Sequence, residues 1–120
     1  MGEESVTDLS YLREVAMGDE EIVAETVRAF LEDAPNGLAN LKTHFSNQNW
    51  EKLAAQAHKI KPNLDYMGMK RAKELILEIE EQAKTESISD DLGDHIREFD
   101  SLCQTAFTEL SEKVEQLESV

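Results

Sequence analysis

The sequence predicts an all-α protein, an antiparallel four-helix bundle with an additional short N-terminal helix. Three observations lead there. Only five glycines and two prolines occur in 120 residues, so few positions break a helix. Ala, Leu, Glu, Lys and Gln dominate, with little of the β-branched alternation that a strand would show. Apolar residues recur every three or four positions through four long segments joined by short polar connections, the pattern of antiparallel bundle neighbours. A chain of this length buries enough surface to fold without disulfides or metals, and no repeat period is visible. Residues 1–120 are therefore read as a single helical-bundle domain.

The first helix is expected from residue 7 or 8 to about 17, capped by Asp8, with Leu9, Leu12, Val15 and Ala16 on one side and Gly18 ending it. Asp19 caps the second, whose stripe of Val23, Val27, Phe30, Leu31, Ala34, Leu38, Leu41 and Phe45 keeps helical spacing for more than twenty residues. Pro35 falls inside that run. Either the helix kinks there or Asp33 caps a fresh one, and the uninterrupted stripe favours a single kinked helix. A polar connector at residues 46–49 follows, and Asn49 can cap a third helix starting at Trp50, with Leu53, Ala54, Ala57, Ile60, Leu64 and Met67 inward and Gly68 as a left-handed close. The fourth helix spans about 70–84, with Ala72, Leu75, Ile76, Ile79 and Ala83 inward. The fifth begins near Asp90 or Asp91 and carries Leu92, Ile96, Phe99, Cys103, Ala106, Leu110, Val114 and Leu117. Its heptad-like spacing would also suit a coiled-coil dimer, but three other helices need partners for their own stripes, which favours a monomeric bundle.

Charge excludes some partners. Twelve Lys and Arg against 26 Asp and Glu give a net charge of -14, unsuited to nucleic acid or an anionic membrane surface. Half of the cations nevertheless cluster as Lys52, Lys59, Lys61, Lys70, Arg71 and Lys73, with Asp65 the one acid among them. The single cysteine, Cys103, forbids an intrachain disulfide and is expected in the core. The acidic start lacks the plan of a secretory signal, and no apolar run approaches the roughly 18 residues of a membrane span. A cytoplasmic, reducing location is the expectation.

The stretch from Ala57 to Gly68 carries the chemistry. His58 lies about 100° around the helix from inward Ala57, so it points off the core, and Lys61, Pro62 and Asp65 follow on its face at offsets of three, four and seven. A neutral imidazole is a competent nucleophile near physiological pH, and a lysine one turn away can offset negative charge on a phosphoryl group. Lys59 is rotated away and shapes the field. Ala54 and Ala55, one turn before, keep the surface low enough for another domain to approach. Pro62 removes the N–H that would bond the His58 carbonyl, and is read either as a tolerated kink or as a device that aims His58. His44 and His95 lack a lysine one turn onward and are read as surface or satisfied residues without a chemical role. Met67 and Met69 are read as gap-fillers or as lining of an adaptable docking surface. No partner carboxylate is expected near His58, which counts against an enzyme that would need one.

Ala57-His58-x-x-Lys61, then Leu64 and Gly68 ten residues after the histidine, resembles the signature of histidine-containing phosphotransfer (HPt) domains of multistep two-component phosphorelays. The resemblance extends over nearly the whole chain in helix order. It implies that His58 is the phosphoacceptor and Lys61 the phosphate-stabilising lysine. It implies as partners the receiver domains of response regulators or hybrid histidine kinases, with no ATP bound and Mg²⁺ held by the receiver rather than by a cofactor site here. Ala54, Ala55, Lys59, Pro62, Asp65 and Gly68 would shape the docking surface. The sequence departs from the family pattern at Pro62, where glycine is usual, at Asn63, and at Tyr66 and Met67, which are bulkier than usual.

Two other functions stand beside this phosphocarrier. One is a helical adaptor that docks a receiver or kinase without phosphotransfer. The other is a histidine phosphatase or metal hydrolase, disfavoured by the lack of a glycine-rich nucleotide loop and of the Glu-x-x-His pairs of di-metal bundles.

Overall fold

A computed structural model of the chain describes residues 5–118. The acidic opening residues 1–4, read above as unlike a secretory signal, lie outside them. Five helices form: α1 (Ser10–Val15), α2 (Glu20–Ser46), α3 (Trp50–Tyr66), α4 (Lys70–Thr85) and α5 (Leu92–Glu118), with no strand among the described residues. α2 packs on α3 and α5, and α4 on α3 and α5, which closes a four-helix ring, while short α1 lies against α2 and α3. No helix among the described residues is long and apolar enough to cross a membrane.

The stripes explain the ring. Val23, Val27 and Leu41 of α2, Leu53 and Ala57 of α3, Ile76 and Ile79 of α4, and Ala106 and Leu110 of α5 are fully buried. Each large aliphatic side chain among them contributes about 1.5–3 kcal/mol of burial. Leu31, Ala34, Phe45, Trp50, Ala54, Ile60 and Leu117 pack on the rim of this core. Both prolines sit inside unbroken helices, Pro35 in α2 and Pro62 in α3. Cys103 is buried, and Met67 and Met69 are both buried too, which removes them from any docking surface.

Val15 departs from expectation: half of it is exposed, while Leu9, Leu12 and Ala16 are buried. At 100° per residue those three span a narrow arc, and Val15 lies about 60° beyond Leu12 at its edge. A helix touching the bundle on one side buries only that arc.

Helices α1 to α4 all end in the same motif. A residue with positive φ follows each, and the next N–H reaches back five residues: Gly18 to the Arg13 carbonyl, Asn49 to His44, Met69 to Leu64, Ser87 to Gln82, at 3.0, 3.0, 2.9 and 3.1 Å. The left-handed residues are Met17, Gln48, Gly68 and Glu86. Met17, rather than Gly18, is thus the first left-handed residue after α1. Only α3 uses glycine at this position, and the reason is a neighbour: a Cβ on Gly68 would stand 2.1 Å from the Asp8 carbonyl oxygen. At the other ends Asp19 accepts from the Glu21 and Ile22 amides and Asn49 from the Lys52 amide, as capping residues do.

Candidate functional site

His58 stands on the outer face of α3, its side chain 72% exposed. Its Nδ1 lies 3.1 Å from Oε2 of Glu80 on α4, and the other oxygen of the same carboxylate is 2.8 Å from Lys61 Nζ. One carboxylate therefore ties the histidine to the lysine a turn away. Glu80 is mostly covered, with 15% of its side chain exposed, and Lys61 is partly covered at 26%. Burial pushes the Glu80 carboxyl up, but the hydrogen bonds from Lys61 and His58 outweigh it and hold the group below the usual glutamate range.

An ionised carboxylate only accepts hydrogen bonds. The proton of a neutral His58 ring consequently sits on Nδ1, donated to Glu80, and Nε2 keeps its lone pair. With Nδ1 turned toward α4, Nε2 is the nitrogen left for a partner.

Glu80 corrects the expectation that no carboxylate stands near His58, and no local spacing points to it. The signal lies in register. Moving seven residues along α3 from His58 to Asp65 moves seven back along α4 from Glu80 to Lys73, and Asp65 and Lys73 pair at 2.6 Å. Antiparallel neighbours joined at residues 67–69 bring Glu80 opposite His58, and only a paired α3–α4 hairpin makes that visible.

The remaining residues divide. Ala55, Lys59, Pro62 and Asp65 are exposed along α3 and Ala54 is half-buried, so these surround His58 on or beside its face. Lys59 turns toward α2 and lines a groove of about 480 Å³ with Asp33, Asn40, Gln56 and Asn63. Gly68 is not brought to that face, because it lies under the Asp8 backbone. The cationic cluster is also partly neutralised: Lys61 and Lys73 pair as described, and Arg71 bonds Glu98 at 2.8 Å and Glu74 at 3.0 Å. Lys52, Lys59 and Lys70 make no ion pair among the described residues. His95 of α5 pairs at 3.4 Å with Asp91, the residue just before that helix, away from this site. Cys103 is screened in the core, where burial pushes its thiol up to about 12.

Comparison with known proteins adds one finding. The family model of the Hpt domain matches residues 25–120, from within α2 to the end of the chain. Neither the curated proteins nor the solved structures yield a match. A match over so much of the chain, on a helical bundle with an exposed histidine on its third helix, shows that this chain belongs to the Hpt domain family.

Proposed function

We propose that the protein is a phosphocarrier that accepts a phosphoryl group on Nε2 of His58 from the aspartyl phosphate of one receiver domain and passes it to the aspartate of another. The observation that carries this reading is the shared Glu80 carboxylate, which aims the imidazole and keeps Lys61 beside it. In the accepting step the Nε2 lone pair attacks phosphorus, a P–N bond forms, the acyl P–O bond breaks, and the donor's carboxylate leaves. The ring then carries positive charge, which Glu80 offsets through Nδ1–H. Lys61 has three donors, so it can keep Glu80 and also take a phosphoryl oxygen. The same step in reverse, onto a second aspartate, restores neutral His58.

Donation and acceptance are transfers rather than turnover, and the protein needs no nucleotide or cofactor of its own. The Mg²⁺ that steadies the aspartyl phosphate belongs to the receiver. The carrier acts as a cytoplasmic monomer, with Ala54, Ala55, Lys59, Pro62 and Asp65 meeting the partner around His58.

The test is to supply a phosphorylated receiver and follow label onto the protein. An acid-labile, alkali-stable label that vanishes in His58→Gln is expected. Label retained by His58→Gln would contradict the assignment. Receiver binding with no label, indifferent to that substitution, would make the protein an adaptor instead.

A further inference from the structure

The chain before α2 is held from two sides. Glu109 of α5 accepts four hydrogen bonds from three consecutive residues: the Ser5 hydroxyl at 2.6 Å, the Val6 amide at 2.9 Å, and the Thr7 amide and hydroxyl at 3.1 and 2.7 Å. Lys113, one turn on, donates to the Thr7 hydroxyl at 2.8 Å. The Asp8 amide then donates to the Met67 carbonyl at the end of α3, at 2.9 Å, with the Asp8 carbonyl lying over Gly68. Thr7 and Leu9 are buried by this clasp.

α1 follows immediately. Six residues are too few for a helix to persist alone, so its place depends on what grips its start. Asp8 accepts from the Ser10 amide and hydroxyl, and the Tyr11 ring stacks on Tyr66 with centroids 5.7 Å apart. Tyr66 lies eight residues along α3 from His58, or about 12 Å. Tyr11, Val15 and Met17 of the clasped segment, with Ile22 in the first turn of α2, are four of six exposed large hydrophobic residues among those described, so exposed apolar surface gathers around α1, which packs on α2 and α3 with Tyr11 against Tyr66. The matched family model begins at residue 25, so the gripped residues 5–9 and α1 lie outside it, while Glu109 and Lys113 lie within it.

We propose that Glu109 is a positioning residue for partner docking: by gripping residues 5–7 it fixes α1 against the end of α3 and so sets the apolar surface that a receiver domain meets beside His58. This rests on the phosphocarrier reading. Glu109 itself touches no reacting atom. Its effect falls on how much receiver is needed, not on how fast the phosphoryl group moves once docked.

The test uses the full chain and a receiver domain from the same organism, loaded on its aspartate with acetyl phosphate, in single-turnover transfer across receiver concentrations. Glu109→Ala should raise the half-saturating receiver concentration about five-fold or more while leaving the limiting rate within about two-fold, a loss of ground-state binding alone. Amide exchange at Val6, Thr7 and Asp8 should accelerate in the same variant. Val15→Ser combined with Met17→Ser, at exposed positions that leave the clasp intact, should raise half-saturation similarly with those amides still protected. Glu109→Gln, which keeps an acceptor oxygen, should fall between wild type and Glu109→Ala. If Glu109→Ala loses its helical signal, Glu109→Gln takes its place, and unchanged half-saturation in Glu109→Gln with the Val6 and Thr7 amides accelerated overturns the inference. Unchanged half-saturation in either variant, with labelled wild type, overturns this inference and leaves the carrier intact. No label on the wild type overturns both.

Discussion

Glu80 does two things with one carboxylate: it sets which nitrogen of His58 carries the proton, and it holds Lys61 within a turn of that ring. Hydrogen bonds to charged groups contribute about 1.5–3 kcal/mol, so Glu80→Ala should slow phosphotransfer by about ten-fold or more while the helical signal is retained; equal single-turnover rates would contradict this role. Lys61→Ala should likewise slow transfer, through lost charge on the transferring oxygens, and an unchanged rate would reduce the lysine to surface charge. The depressed Glu80 pKa has a pH consequence with a definite sign. Its stabilisation is present above the ordinary carboxyl value of 4.5 and is lost as pH falls through the lowered folded value. Acid titration of thermal stability should therefore show a shallower loss below that point in Glu80→Gln than in wild type. That Lys61 stands beside His58 was legible in the sequence because the two sit three apart on one helix. Glu80 was not, because the contact spans two helices and depends on their register.

At the scale of elements, the shared C-terminal motif separates two demands on glycine. Gln48 and Glu86 adopt the left-handed region at exposed positions, and replacing Gln48 by Gly should stabilise the protein by up to about 1 kcal/mol, since L-residues are disfavoured there. Gly68 differs, because its Cβ would meet backbone. Gly68→Ala should cost about 2 kcal/mol or more and free the N-terminal segment, measurable as urea stability together with amide exchange at Asp8. A Gly68→Ala protein as stable as wild type would show that the segment shifts without penalty. The helices themselves were readable from period and from the caps Asp19 and Asn49, with ends within about three residues of those expected, but α1 starts later than expected and its cap is Leu9, with no side-chain bond, rather than Asp8. Val15 was misplaced because i, i+3, i+4 spacing defines a stripe but not how wide an arc the bundle covers, and a short surface helix uses a narrow one.

The whole molecule is an elongated bundle, 48 × 30 × 21 Å, whose four stripes converge on one core. Cys103 reports on that core. At 4% exposure, with its thiol pushed up to about 12, it should resist thiol reagents at pH 8 and react only at the rate of unfolding. Rapid modification of the native protein would mean that the groove between α2 and α3 opens to it. The bundle was legible because four amphipathic segments with short connections leave few other ways to bury their faces. The charge pattern was legible only in part. A basic cluster is evident along the chain, but its pairing with acids of α3, α4 and α5 appears only when the helices are assembled.

The central claim, that Glu80 holds the proton on Nδ1 and leaves Nε2 of His58 to take the phosphoryl group, is most directly tested by ¹⁵N and ³¹P NMR of the protein labelled in its histidines and phosphorylated by a receiver. A single phosphoramidate coupled to Nε2 of His58 is the expected result. Phosphate on Nδ1 of His58, or on any other residue, would contradict it.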